Sequence, residues 1–330
     1  MVSSACKLAL FLLLLQGGAT VDPDTVKSSA LFDGPQRVDG RIIRPREKDP
    51  DLVRDVWVVL HRVGSDRAAP LDSMRSRADG SYSFTYTRTG DPEAIYFVAA
   101  QYAGIAYFTP PLHEKHERGE HGEIVVFDTT SRNIDIGIRG HHVIISSANA
   151  SQMRSVTEVF ELANDSANTL VGSNGLKGSA TWATRIPAQA AGFRVGQGDV
   201  PSAAVTVADG TASVFAPLAP GLRQLSFTYM LPGSAFPISF PLDRPVSVLE
   251  VLLEDPEGSV DAPKLKEVDP VSFEQRQFRR FLGAEVPAIG ELVIDVPRAE
   301  KSMNRTFIVL LTLVIGGAML AALARAFSRK

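Results

Sequence analysis

The chain has 330 residues, 45% of them hydrophobic and 22% charged, with a mean hydropathy of +0.04 and a single cysteine. That length is enough for about two domains with self-sufficient cores, and the composition excludes collagen, a disordered polyampholyte and a polytopic membrane protein. The lone Cys6 excludes a disulfide scaffold and any cysteine-ligated zinc or iron–sulfur centre.

At the amino end, Lys7 precedes the unbroken apolar run Leu8–Leu15, followed by Gln16, Gly17, Gly18 and Ala19. This three-part layout predicts a secretory signal peptide over residues 1–19, cleaved after Ala19. The run is too short to span a bilayer, although an uncleaved anchor is the alternative. Cys6 precedes the run, so it is not placed as a lipobox cysteine and leaves with the peptide.

From about Gln36 to Pro111 the chain reads as a first β module. Val38-Asp39-Gly40-Arg41-Ile42-Ile43 is followed by a charged loop and then Val56-Trp57-Val58-Val59-Leu60. Next come Asp79-Gly80-Ser81-Tyr82-Ser83-Phe84, then Ile95–Tyr102 and Ile105–Thr109. Tyr82, Phe84 and Tyr86 alternate with polar residues, which places them on one face of a strand. Asp79-Gly80 is a hairpin signal, because both residues tolerate positive φ. A glycine-containing strand, an approximate V-x-V-x-L strand and a D-G-x-Y-x-F element resemble the carboxypeptidase regulatory-like domain. The match covers about a quarter of the chain. The resemblance implies a transthyretin-like sandwich of about seven strands and an accessory, non-catalytic role; an unrelated Ig-like module is the alternative.

Residues 112–132 read as a charged linker. Its run His113-Glu114-Lys115-His116-Glu117-Arg118-Gly119-Glu120-His121 contains histidines and carboxylates that ligate zinc, nickel or copper in other settings. His113 and His116 could share one metal, completed by Glu117, Glu120 or His121. The interspersed Lys115 and Arg118 repel a cation, and a loose loop makes a poor site, so a solvated loop is preferred and no metal residue is assigned.

A second sandwich is predicted over residues 133–231. Ile134, Ile136 and Ile138 share one face, as do Leu225, Phe227 and Tyr229, and Asp209-Gly210 marks a hairpin. Consecutive residues point to opposite strand faces, which separates His141 from His142. Glu158 falls on the same face as Val156, Phe160 and Leu162 and is therefore expected to point into a core. Burial raises its pKa unless it is paired, and Arg139 or Arg185 is the expected partner. Gly172–Gly178 is glycine-rich but precedes no helix, so it reads as a hairpin loop rather than a phosphate cradle. Residues 235–297 form either a small third β unit, the preferred reading, or the completion of the second sandwich. Within them Phe273–Leu282 reads as an irregular strand rather than a helix, and Pro237 and Pro241 suit an edge strand.

The stalk 298–305 leads to residues 306–324, which carry no charge. At ~1.5 Å per residue they cover about 28 Å, close to the hydrocarbon thickness of a bilayer. Arg325, Arg329 and Lys330 follow in a tail over residues 325–330, whose cations suit a cytosolic side. The expected fold class is thus all-β, with tandem transthyretin-like or Ig-like sandwiches and one C-terminal transmembrane helix. Between residues 20 and 305 stand 30 basic and 37 acidic residues, a net charge of −7, which offers no field for nucleic acid.

No nucleophile elbow and no mature cysteine support covalent catalysis. No catalytic or cofactor residue is assigned, and no cofactor is expected. Sequons at Asn149, Asn164 and Asn304 matter only in a eukaryotic secretory route, whereas an extracytoplasmic sandwich protein without disulfides points to a bacterial envelope. The expected role is binding or scaffolding beside other membrane or envelope proteins, anchored in the lipid bilayer through residues 306–324. A surface that binds carbohydrate or peptide is the main alternative. It requires an exposed aromatic platform, for which Trp57 and Trp182 are candidates, though both sit in strand patterns and are expected in the core. A metal-dependent hydrolase or metal sensor built on His113, His116 and His121 is the remaining alternative.

Overall fold

The computed structural model describes residues 34–132, 134–173, 178–273 and 275–296. The expected signal peptide, Cys6, the stalk with Asn304, the expected membrane span 306–324 and the tail lie outside them, as does much of the Gly172–Gly178 loop. Among the described residues the chain is all-β, and no helix is long and apolar enough to cross a membrane.

Two cores organise the strands. In the first, Pro35–Arg44 pairs antiparallel with Ser81–Thr87 and with Asp51–Leu52. The facing sheet runs in the order Ala68–Arg75, Trp57–Val63, Ile95–Tyr102, Ile105–Phe108. Val38, Ile42, Tyr82 and Phe84 from one sheet meet Val58, Leu60, Tyr96 and Val98 from the other, which makes a sandwich. Tyr82, Phe84 and Tyr86 enter this core as the alternation predicts. Asp79-Gly80 does not close a hairpin between neighbouring strands. It carries the chain from Ala68–Arg75 in one sheet to Ser81–Thr87 in the other, with Gly80 at φ +72° and the Asp79 carboxylate accepting the Ser81 amide.

The stretch expected to be a linker contributes to this first sheet. His116–Glu117 and Glu123–Val125 pair in parallel with Pro35–Arg44, and Leu112, Ile124 and Val126 lie in the first core. Ile124-Val125-Val126 supplied an apolar run after the charges, but its pairing partner lies about eighty residues away, beyond the reach of a local pattern.

The second core is larger. Its main sheet has seven strands in the order Ala191–Val195, Gly221–Pro232, Met153–Asn164, Gly137–Ile145, Val246–Leu253, Arg276–Val286, Lys266–Phe273. Only the central pair, Gly137–Ile145 and Val246–Leu253, is parallel; the others are antiparallel. Two three-stranded sheets cover its inner face. One holds Trp182–Arg185, Thr211–Val214 and Val205–Ala208, the other Ile238–Pro241, Glu291–Asp295 and Ser259–Asp261. Residues from Ile136 to Val296 share this one core, so the stretch after residue 235 completes the second sandwich and is not a third unit. Asp209-Gly210 does form the expected two-residue hairpin, with both residues at positive φ. Ile238–Pro241 is an edge strand, as its prolines require.

A bulge decides which residues face this core. Ile138 points inward, and then the register of Gly137–Ile145 against Met153–Asn164 shifts between Ile138 and Gly140. The extra residue reverses the phase of the alternation. His141, Val143 and Ile145 therefore share the inner face, while His142 and Ile144 face outward. At Gly140 a Cβ would come within 3.0 Å of both the Glu161 carboxylate and the His142 ring, so the bulge has little room for a side chain.

Candidate functional site

One buried cluster and two surfaces combine polar and aromatic side chains. The buried cluster forms where Glu158 reaches the inner face. It is 1% exposed, and its carboxylate meets the His141 Nε2 at 2.9 Å and accepts the Tyr229 hydroxyl at 2.7 Å. Burial, and then the neighbouring Glu158 charge, push the Tyr229 hydroxyl far above its ordinary pKa. The His141 ring stacks on Phe160 at 4.1 Å, and Trp182 meets Phe160 edge-on. Glu158 thus faces the core as the pattern predicts, but neither expected arginine pairs with it. Arg139 sits on the bulge and binds Asp165, while Arg185 is exposed at the end of its strand. The bulge that turns His141 inward supplies the partner instead.

On the other side of the same sheet lies a groove enclosing about 220 Å³. Ile144, Leu252, Val271 and Phe278 give it an apolar floor, with Ser155 and Thr157 along one side. At one end the Glu250 carboxylate bridges the His142 Nδ1 at 2.6 Å and the Arg280 Nε at 2.6 Å. Burial pushes the Glu250 carboxyl up, but the hydrogen bond and charge of His142, together with Arg280, outweigh it and hold the group below its ordinary range. At the other end Arg276 forms a fork with Glu254, whose carboxyl is thereby lowered to about 2. Phe278 and Phe281 stand three apart on a strand and so point to opposite faces. Phe281 fills the core and Phe278 floors the groove. The groove can hold an apolar side chain or a small apolar ligand between two charged ends.

The second surface is the outward face of the four-stranded sheet. Val58 and Leu60 point inward, so the alternation turns Trp57 outward, where it is 50% exposed under the Arg75 guanidinium at 4.7 Å. The His61 and Phe97 rings stack at 5.2 Å, and Phe97 meets Phe108 at 5.6 Å, edge-on. Phe108 is 57% exposed, and Ile95 and Val63, cross-strand partners, are also exposed. The expectation that Trp57 lies in the core is therefore wrong, while Trp182 is buried as expected. The signal was already in the V-x-V-x-L alternation, since a tryptophan between two inward valines must face out.

The histidines of the charged run are not gathered. His116 Nε2 lies 2.6 Å from the Asp39 carboxylate, and His121 Nδ1 lies 3.4 Å from that of Glu117. Glu117 itself is buried and accepts the backbone amides of His113 and Glu114. Among the described residues no three histidine, cysteine, aspartate or glutamate side chains stand close enough to hold a metal ion. Of the described sequons, Asn149 closes an exposed turn through the Ser151 and Met153 amides. Asn164 is buried and donates to the carbonyls of Asn168 and Leu218. No family model matches this chain, and a search of curated proteins returns no relative.

Proposed function

We propose that this chain is a membrane-anchored, extracytoplasmic β-sandwich protein that acts by binding or scaffolding rather than by catalysis, beside other proteins of a cell envelope. The observation that carries this reading is the outward aromatic face of the first sandwich. Contiguous exposed apolar surface costs free energy in water and marks interaction surfaces on folded proteins. Here Trp57, Phe97, Phe108, Ile95 and Val63 lie on one rigid sheet, where they can meet a partner without ordering a loop. The residue patterns of the two termini supply the secretory and anchoring part of the reading. The Asp79-Gly80-Ser81-Tyr82-Ser83-Phe84 element supports assigning the first sandwich to the carboxypeptidase regulatory-like domains, in keeping with an accessory role.

A photo-crosslinker placed at Phe108 of the full-length protein in native membranes tests it. The expected result is a discrete crosslinked partner that disappears when Trp57→Ala and Ile95→Ser are introduced together. Recovery of the uncrosslinked monomer alone overturns it. The exposure of Trp57 also favours a second reading, in which the same aromatic face stacks on sugar rings. Binding of soluble envelope polysaccharide, read as a change in tryptophan emission that is lost in Trp57→Phe, distinguishes that outcome from a protein partner.

A further inference from the structure

The outward face of the first sandwich's other sheet carries a different kind of site. A cleft of about 470 Å³ opens where Gly40 pairs with Tyr82. Two glycines bring backbone strands together beneath it. A Cβ on Gly40 would meet the Gly122 carbonyl oxygen at 1.8 Å, and one on Gly122 would meet the Asp39 carbonyl oxygen at 2.4 Å. The buried Tyr82 hydroxyl seals the contact by donating to the Gly122 carbonyl at 2.6 Å. The floor is thus fixed by packing, and it lies beneath the short turn Gly119–Gly122 that folds across it.

Three guanidinium groups line this floor. Arg41 lies between Ser81 on one neighbouring strand and Glu123 on the other, and its side chain faces outward because Ile42 fills the core. Arg77 enters from the inter-sheet turn, with its Nη1 3.3 Å from the Ser81 hydroxyl, and Arg118 enters from the foot of the Gly119–Gly122 turn. Among the described residues no carboxylate lies within ion-pair distance of Arg41, Arg77 or Arg118. The carboxylates nearby are otherwise engaged, with one exception. Asp39 is held by the Arg37 fork at 2.8 Å and by His116, while Asp79 is bound by Ser81 within its turn and is held below its ordinary range by Ser81 first and by the more distant Arg41 charge as well. Glu123 is the one lining carboxylate without an ion-pair partner. A protein whose region between residues 20 and 305 carries a net charge of −7 therefore gathers three arginines, none of them in a direct ion pair, around one polar hollow.

We propose that this cleft binds a phosphate monoester, its dianion held by the guanidinium groups of Arg41, Arg77 and Arg118. Planar guanidinium forks match phosphate oxygens in pairs, and charge-assisted hydrogen bonds of this kind outweigh neutral ones. The cleft has room for more than a bare ion, and the phosphate could belong to a small metabolite or to a lipid headgroup.

Calorimetric titration of the full-length protein in a zwitterionic detergent, with inorganic phosphate, glycerol 3-phosphate and a short-chain phosphatidic acid as probes, tests the proposal. Saturable binding of glycerol 3-phosphate is expected, with chloride at matched ionic strength giving none. Arg118→Gln or Arg41→Gln, both at exposed positions, is expected to weaken it about tenfold or more, the effect of one lost charge-assisted bond. Glu123→Gln removes the unmatched carboxylate and is expected to tighten binding several-fold, a sign that a merely structural role for the arginines would not produce. Tighter binding of phosphatidic acid than of glycerol 3-phosphate assigns the site to a headgroup, and equal binding assigns it to a soluble ester. Absence of saturable binding, insensitivity to the arginine substitutions, or weaker binding by Glu123→Gln overturns the proposal.

Discussion

His141 and His142 are neighbours in the chain, and each pairs with a glutamate, yet they face different worlds. His141, Glu158 and Tyr229 are sealed between the seven-stranded sheet and the small sheets that cover it. His142, Glu250 and Arg280 sit at the end of an open groove on the opposite face. In the sealed cluster every polar atom depends on the others, because water cannot replace a lost partner. In the second cluster His142 and Glu250 are buried too, at 5% and 8% exposed, but Arg280 is part-exposed beside the groove, so this cluster is less completely shielded.

This contrast gives an ordered set of expectations. Glu158→Ala leaves the His141 ring and the Tyr229 hydroxyl buried without their partner, and is expected to destabilise the protein by about 3–5 kcal/mol in urea unfolding. A loss below about 1 kcal/mol would show that the inner cluster is hydrated after all. Glu250→Ala is expected to cost less, about 1–3 kcal/mol, since the part-exposed Arg280 can turn to solvent. Equal costs for the two substitutions would erase the distinction between the faces.

Acid sharpens the comparison. The Glu250 carboxyl is held below its ordinary value of 4.5 in the folded protein, and Glu254 is lowered to about 2. Groups with depressed folded pKa values contribute stability above about pH 4.5 and lose it as the pH falls towards the folded value. The melting temperature is therefore expected to drop between about pH 4.5 and pH 2. Glu250→Gln should flatten that drop, and an unchanged acid slope in this variant would remove Glu250 from the account. The smallest effect is expected on the groove wall, where Thr157 and Thr228 share a hydroxyl hydrogen bond at 2.9 Å. Thr157→Val is expected to cost about 1 kcal/mol or less in the same unfolding measurement.

The two tryptophans extend the contrast to the first sandwich. Acrylamide is expected to quench the emission of Trp57 and to spare that of Trp182, which is 4% exposed. Trp57→Phe should abolish the quenchable fraction, and a quenchable remainder would mean that Trp182 is reached by solvent.

Much of the architecture is legible in local pattern. The alternations through Tyr82, Phe84 and Tyr86, through Leu225, Phe227 and Tyr229, and through Leu292, Ile294 and Val296 each place a face in a core. The same rule puts Glu158 inside, and applied consistently it puts Trp57 outside. The candidate sites were less legible. The groove needs Gly137–Ile145, Val246–Leu253 and the hairpin of Lys266–Phe273 with Arg276–Val286, whose lining residues His142 and Phe278 are 136 positions apart (278 − 142). The arginine cleft needs a turn at Gly119–Gly122 to fold back on Gly40, in a stretch whose charges resemble those of a linker.

What the sequence determined by itself is period and side: which segments are strands, and which of their residues prefer oil to water, because alternation is a property of the extended backbone and needs no partner. What only the tertiary structure decided is phase and partnership. One extra residue between Ile138 and Gly140 exchanges the faces of two histidines, and pairing across many tens of residues makes His141 the companion of Glu158 and turns a charged run into strands of the first sheet. Bulges and long-range register are set by how whole sheets twist and pack together, and that information is not carried by any one segment.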